Sequence, residues 1–216
     1  MKKHLITFGI LALSVSLSFA QSEMNKTDAK GNRQGSWEET GNNDVMMKGW
    51  YKDGKKTGAW ASFQKNGKVA AVESYVDGQK NGIFIEFDNN GYQSTINYYK
   101  DDLLDGTSSK YQSNRMVSET SYVNGKEHGT KKLYYPNGKI QEESTMADGL
   151  REGATKWYDE SENVIAEYNY VKGALHGEQQ SFYPSGAVRT KNTYVNGKQT
   201  ESVEYLEDGT IKKKDK

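Results

Sequence analysis

Two histidines, His128 and His176, each stand directly before a glycine, Gly129 and Gly177. A pair of imidazoles can act as general bases or metal ligands. Here the same position holds Asn81, Asp105 and Glu152 elsewhere in the chain. Catalysis needs convergent partners of distinct types, so the histidines read as loop residues filling a recurring slot. Carboxylates cluster at Asp101-Asp102 and at Asp159-Glu160-Ser161-Glu162. They leave open an envelope enzyme acting on carbohydrate, which would need an acid and a base within about 10 Å of each other. Asp88-Asn89-Asn90-Gly91 resembles the start of a calcium loop but lacks a distal glutamate in register. With 0 Cys, thiol catalysis and zinc–thiolate sites are excluded. The sequence assigns no catalytic residue, no metal ligand and no cofactor site.

Aromatic side chains remain as candidates. Trp60, Phe84, Tyr135, Trp157 and Tyr183 fall at even-numbered positions counted from recurring glycines. If those positions lie on strands, the five point to one face, either as a second structural ladder covering the sheet or as a trough for a partner peptide or glycan. The residues at position five (Phe63, Phe87, Tyr111, Tyr134, Tyr158 and Phe182) then form a ladder on the opposite, better-buried face.

The elements that must hold these groups come from a period. Gly35, Gly58, Gly82, Gly106, Gly129, Gly153 and Gly177 are spaced by 23 or 24 residues. A fixed short period marks a repeat architecture. Nine residues on from these glycines is usually a turn Gly, eleven on a Val or Ile, and sixteen or seventeen on a Tyr. A second turn follows, as at Asp53-Gly54, Asp77-Gly78 and Asn124-Gly125. Asp-Gly and Asn-Gly between alternating strands signal tight hairpins. Each repeat is therefore two strands and two turns, with strands near 59–64 and 68–76 in the copy that opens at Gly58. The chain is expected to be all-β: one elongated antiparallel meander of hairpins, roughly 70 Å long at the usual strand spacing. A degenerate copy from Thr200, with Tyr205, Gly209 and Ile211, caps the end. The Val/Ile and Tyr anchors are six apart in the longer copies (Val69 to Tyr75) and five in the shorter (Val117 to Tyr122). A one-residue slip turns a strand over, so the longer copies must absorb a residue in a bulge or at a turn.

The flanks read separately. Residues 1–20 have a basic start (Lys2, Lys3, His4), an apolar stretch from Leu5 to Leu17, and Ser18-Phe19-Ala20 before a cut. They form a signal peptide that sends the chain to the periplasm, cell surface or medium. The apolar run is short for the roughly 20 residues of a spanning helix. Residues 21–30 are a linker, 31–211 the repeats and 212–216 a basic tail. Removing Lys2 and Lys3 from 29 basic residues leaves 27 against 29 acidic ones. That balance offers no nucleic-acid-binding surface.

The copies Tyr75-Val-Asp-Gly78-Gln-Lys-Asn-Gly82 and Gly129-Thr-Lys-Lys-Leu-Tyr134-Tyr-Pro-Asn-Gly138-Lys-Ile140 resemble the bacterial variant of the MORN repeat, as does Leu175-His176-Gly177. The resemblance runs over about 31–211. It implies an all-β solenoid sheet that serves as a scaffold or binding module, with a protein as partner. Membrane-surface contact is also associated with such repeats, and bacterial members often carry an antitoxin label, which makes immunity against a toxin an alternative. Open sheet ends also invite end-to-end pairing of copies.

Overall fold

Glycine carries the chain through most of its described bends. In a computed structural model that describes residues 24–41 and 46–213, all seven repeat-opening glycines have positive φ, from 64° at Gly58 to 114° at Gly106. That conformation is open to glycine without a Cβ penalty. The second turns are equally uniform. Asp53-Gly54, Asp77-Gly78, Asn124-Gly125, Asp148-Gly149, Lys172-Gly173 and Asn196-Gly197 all have positive φ at both residues, as a type I′ hairpin turn requires. Asp101-Asp102, which lacks the glycine, takes the same shape at φ 50° and 68°.

The described residues form one 18-stranded antiparallel sheet and contain no helix. Each strand pairs with the next in sequence, so the sheet is an open meander of hairpins. Two long strands are interrupted, as Leu103–Leu104 with Gly106–Gln112 and as Ala174–Leu175 with Gly177–Phe182. The return segment expected as a loop is strand: Lys55–Phe63 runs straight through Gly58, and Gln79–Phe87 through Gly82. At each crossing the ladder slips by two residues, as between Lys48/Trp50 and Glu73/Tyr75. An even slip keeps every side chain on its original face.

The bulges fall where the extra residue demanded them, with one refinement. In the longer copies Ser62 pairs with Ala71 but Phe63 with Val69, so Ala70 is extra. The copy from Gly35 has no such shift and is one residue shorter for that reason. The copy from Gly106 keeps the bulge, between Met116 and Ser118, and loses its residue at the turn instead. Its Ser113-Asn114 (φ 49° and 61°) is a tight turn where other copies have a five-residue loop. The partner of Tyr111 is therefore Met116, not the Val117 that a fixed count of eleven selects.

The opening glycine faces the conserved-spacing tyrosine across the hairpin: Gly35 with Tyr51, Gly58 with Tyr75, Gly82 with Tyr99, Gly106 with Tyr122, Gly153 with Tyr170 and Gly177 with Tyr194. A cross-strand ring shields backbone that a glycine leaves bare. Residues 24–32, expected within or beside a linker, instead start the sheet. Lys26–Thr27 pairs with Arg33 and Gln34, and Asp28–Asn32 closes the turn. At the other end Tyr205 bridges Ile211, and Lys212 bonds Glu204 at 2.9 Å, which closes the last copy on itself. The segment 1–20 read as an export signal lies outside the described residues.

Candidate partner-binding face

Register divides the side chains into two faces. One carries Trp37, Tyr51, Trp60, Tyr75, Phe84, Tyr99, Met146 and Trp157 in cross-strand sequence. It also holds the buried side chains, Ser36 and Ser109 excepted: Tyr51, Trp60, Phe84 and Met146 with Ser62, Ser108, Thr120, Glu142, Ser144, Thr155 and Gln179. This is the packed face. A row of cations lies along its aromatic rings. Lys56 Nζ sits 4.0 Å from the Trp60 centroid, Lys80 4.9 Å from Phe84 and from Tyr99, and Arg33 4.8 Å from Trp37. Arg151 repeats the arrangement over Trp157 and Tyr170. Each such contact is worth about 0.5–1 kcal/mol at a partly exposed site.

The position-five ladder was expected on the better-buried side, and that expectation is reversed. Phe63, Phe87, Tyr111, Tyr134, Tyr158 and Phe182 are all half-buried on the opposite, open face. Of the five candidate aromatics, Trp60 is 1% exposed and Phe84 5%. Trp60 donates from Nε1 to the Trp50 carbonyl at 3.1 Å, and Phe84 is held between Tyr75 and Tyr99. They are core, not contact surface. Trp157 shares their face, half-buried, with Nε1 on Glu142 Oε2 at 3.1 Å. Tyr135 and Tyr183 stand apart at the first-turn edge. Their hydroxyls donate to the carbonyls of Tyr158 (2.7 Å) and Tyr205 (2.8 Å), tying each loop to the next. Gln64 does the same to Asp88. The five therefore do not form one surface.

The histidine slot has a structural explanation. Its residue caps the next tight turn: Asp105, Glu152 and His176 accept from the backbone N–H of Asn124, Lys172 and Asn196. Asp88 and Asp159 each accept two backbone N–H groups of their own loops. For Asp159, hydrogen bonds from Asn163 hold the carboxyl below its ordinary pKa. Among the described residues no three His, Asp or Glu side chains gather as a metal-binding group.

The open face shows what the sequence reading missed. One unbroken row of cross-strand neighbours crosses it at position three and its partners. It reads Glu38, Lys48, Ala61, Val72, Ile85, Ile96, Ser109, Glu119, Lys132, Glu143, Lys156, Glu167, Gln180, Lys191. From Glu119 onward the charges alternate, with ion pairs Lys132–Glu143 at 3.2 Å and Lys156–Glu167 at 3.5 Å. Partly exposed pairs of this kind contribute about 0.2–1 kcal/mol each. After the Glu38–Lys48 ion pair (2.9 Å) that starts the row, the stretch from Ala61 to Ile96 is instead apolar and half-buried. Around it Trp50, Met46 and Tyr98 stay 43%, 43% and 42% exposed. The signal was present in the sequence, since position three changes from Ala61 and Ile85 to Lys132 and Lys156.

Burial also couples the sheet to alkaline pH. Tyr51, Tyr75, Tyr122, Tyr134 and Tyr170 all have raised pKa values, burial being the largest cause in each. Glu39, Glu73, Glu127 and Glu119 add to it at the first four in turn. An unfolded tyrosine ionises near pH 10. A raised folded value means that the stability from these groups is fully present below about pH 10 and is lost as pH rises through the folded values. Cooperative loss of the β signal together with tyrosinate absorbance is expected above about pH 10. Ordinary ionisation of every tyrosine with the sheet intact would contradict this.

With this geometry in place, comparison with known proteins is informative at one point. The MORN repeat variant matches residues 127–148, 151–172 and 175–196, three tandem hairpins. The four copies that open at Gly35, Gly58, Gly82 and Gly106 share their hairpin plan. No curated protein matches. Among solved structures, a mutant of S. aureus TarM in complex with fondaparinux, alpha-GlcNAc-glycerol and UDP is similar over 60% of this chain and 21% of that one. Identity there is 16% and the TM-score 0.28, a likeness too slight to carry a shared fold or activity.

Proposed function

We propose that this chain, built of MORN-variant hairpins, is an exported, non-enzymatic binding or scaffold module. Its open face receives a protein partner over the N-terminal half. One observation carries the reading: the apolar side chains Ala61, Val72, Ile85 and Ile96 are contiguous across four strands beside the exposed Met46, Trp50 and Tyr98, while the same row in the C-terminal half is charged, with Lys132–Glu143 and Lys156–Glu167 paired. A contiguous, partly exposed apolar patch on a polar protein marks a contact site. This one is bounded by paired charges, Glu38–Lys48 at 2.9 Å on one side and the alternating row from Glu119 on the other. Export rests on the leader-like residues 1–20.

Photo-crosslinking residues placed at Trp50 and Tyr98 in producing cells test the reading. One defined protein is expected as the adduct at both positions. Trp50→Ala with Tyr98→Ala should lower its recovery about tenfold or more, since large aromatics dominate such contacts. The β signal should be unchanged. Adducts confined to packed-face positions, or recovery untouched by the double variant, would refute the proposal.

A further inference from the structure

Every first turn but one along the described sheet is a five-residue loop. The loops closed at Gln64–Lys68, Asp88–Tyr92, Tyr135–Lys139, Asp159–Asn163, Tyr183–Ala187 and Leu206–Thr210 repeat one pattern of backbone bonds. The tight turn at Ser113-Asn114 breaks the row. The side-chain ties that run from Gln64 to Asp88 and from Tyr135 to Tyr158 have no counterpart on either side of it among the described residues. The sheet is notched there. Two concavities flank Met116, one of about 570 Å³ over Ile96, Tyr98, Tyr111 and Glu119, the other of about 350 Å³ against Tyr134 and Pro136. Both are shallow and open to solvent, suited to a segment laid across the surface rather than an enclosed ligand.

The notch also marks the change of character in the open face. It lies between the last apolar neighbours, Ile85 and Ile96, and the first charge of the alternating row, Glu119. Glu119 faces Lys132 and lies in its field, but the ammonium closes its contact ion pair on Glu143, and among the described residues no ion pair within 4 Å forms on Glu119. Asp105, at the rim, is already engaged by the Asn124 N–H. The site therefore offers a partly apolar floor, with Thr107 and Ser109 among its lining, and beside it a carboxylate that makes no contact ion pair.

We infer that the notch seats an extended segment of the protein partner, with an apolar side chain against Ile96, Tyr98, Tyr111 and Met116 and an adjacent Lys or Arg on Glu119. This rests on the reading of the open face as a partner surface, and it names the anchor point and the chemistry that the partner presents. The charge selects the sequence: a segment with an acidic residue beside its apolar anchor would meet Glu119 with like charge.

The test titrates the isotope-labelled mature chain with two synthetic hexapeptides, Ser-Gly-Leu-Lys-Gly-Ser and Ser-Gly-Leu-Glu-Gly-Ser, followed by amide shifts. The Leu-Lys peptide should shift the amides of Tyr98, Thr107 and Met116 and bind about fivefold tighter than the Leu-Glu peptide, the upper range for a partly exposed pair. Glu119→Lys, made together with Lys132→Glu so that no like charges face each other and checked for an unchanged β signal, should invert that preference. Equal binding of both peptides, an unchanged preference in that paired variant, or shifts confined to other strands would each overturn the inference. A crosslinked partner at Trp50 and Tyr98 combined with peptides that ignore the notch removes this inference and leaves the broader one standing. Peptides seated as described with no partner adduct at either position would keep the notch as a seat for a Leu-Lys segment and remove the reading of the N-terminal half as the surface that holds a cellular partner.

Discussion

Gly49→Ala is expected to lower stability by about 2–4 kcal/mol, as much as a large-to-small core change. A Cβ on Gly49 would stand 2.2 Å from Cδ2 of Trp60, inside the ring's own volume. Gly49 lies directly opposite Trp60, and the indole rests flat on its backbone. The ring has nowhere to go. Its Nε1 is fixed on the Trp50 carbonyl at 3.1 Å, Tyr51 meets it edge-on at 5.1 Å and Lys56 covers it at 4.0 Å. Gly49 has no positive φ, so the cost is steric rather than a matter of backbone strain. Urea unfolding monitored by tryptophan fluorescence measures it. In a Trp60→Ala background the same substitution should cost little, because the clash is gone and alanine suits a strand better than glycine. Additive losses in the double variant would show that the contact is not the cause.

Arg151→Ala should cost about 2–4 kcal/mol, near the low end for breaking a buried ion pair because the arginine is partly exposed. Glu142 is only 7% exposed, and its two oxygens are shared between the Arg151 guanidinium and Trp157 Nε1. Removing the guanidinium leaves a buried carboxylate with one neutral donor. The pair itself contributes less than its loss suggests, since replacing both charges by apolar groups of similar volume is often neutral. Glu142→Met with Arg151→Met should therefore recover most of the stability that Arg151→Ala loses. A single variant that stays within about 0.5 kcal/mol of the parent would mean that water compensates Glu142 in full.

The fold was legible because glycine left no alternative. Seven openings at a fixed period and seven two-residue turns specify a meander before any side chain is considered. The faces were harder to read. Counting from Gly58 places Trp60 and Phe63 on opposite sides correctly, but nothing in the count says which side is covered. Cover comes from long side chains that lie down along the sheet: Lys56 reaches Trp60 only because the bulge at Gly58 sets them over the same spot. The short copy misled in a different way. Val117 matches the eleven-residue rule, but a tight turn at Ser113-Asn114 hands its place to Met116. Ser113-Asn114 lacks the Asn-Gly or Asp-Gly signature, so the local chemistry did not advertise the turn. The open-face row escaped because position three has no consensus residue, and its information lies in how it changes along the chain.

Bonding here is strictly between neighbours. Each second turn donates a backbone N–H to the preceding hairpin, as Gly78 does to Lys56, and among the described residues the furthest side-chain hydrogen bond reaches 24 residues, from Gln64 to Asp88. Molecular length is thus proportional to gene length. Duplicating or deleting one unit moves the two halves of the open face relative to each other by a fixed step, about 10 Å for two strands. The protein behaves as a ruler, and the distance between its greasy and its charged ends is adjustable by recombination without redesigning a single contact.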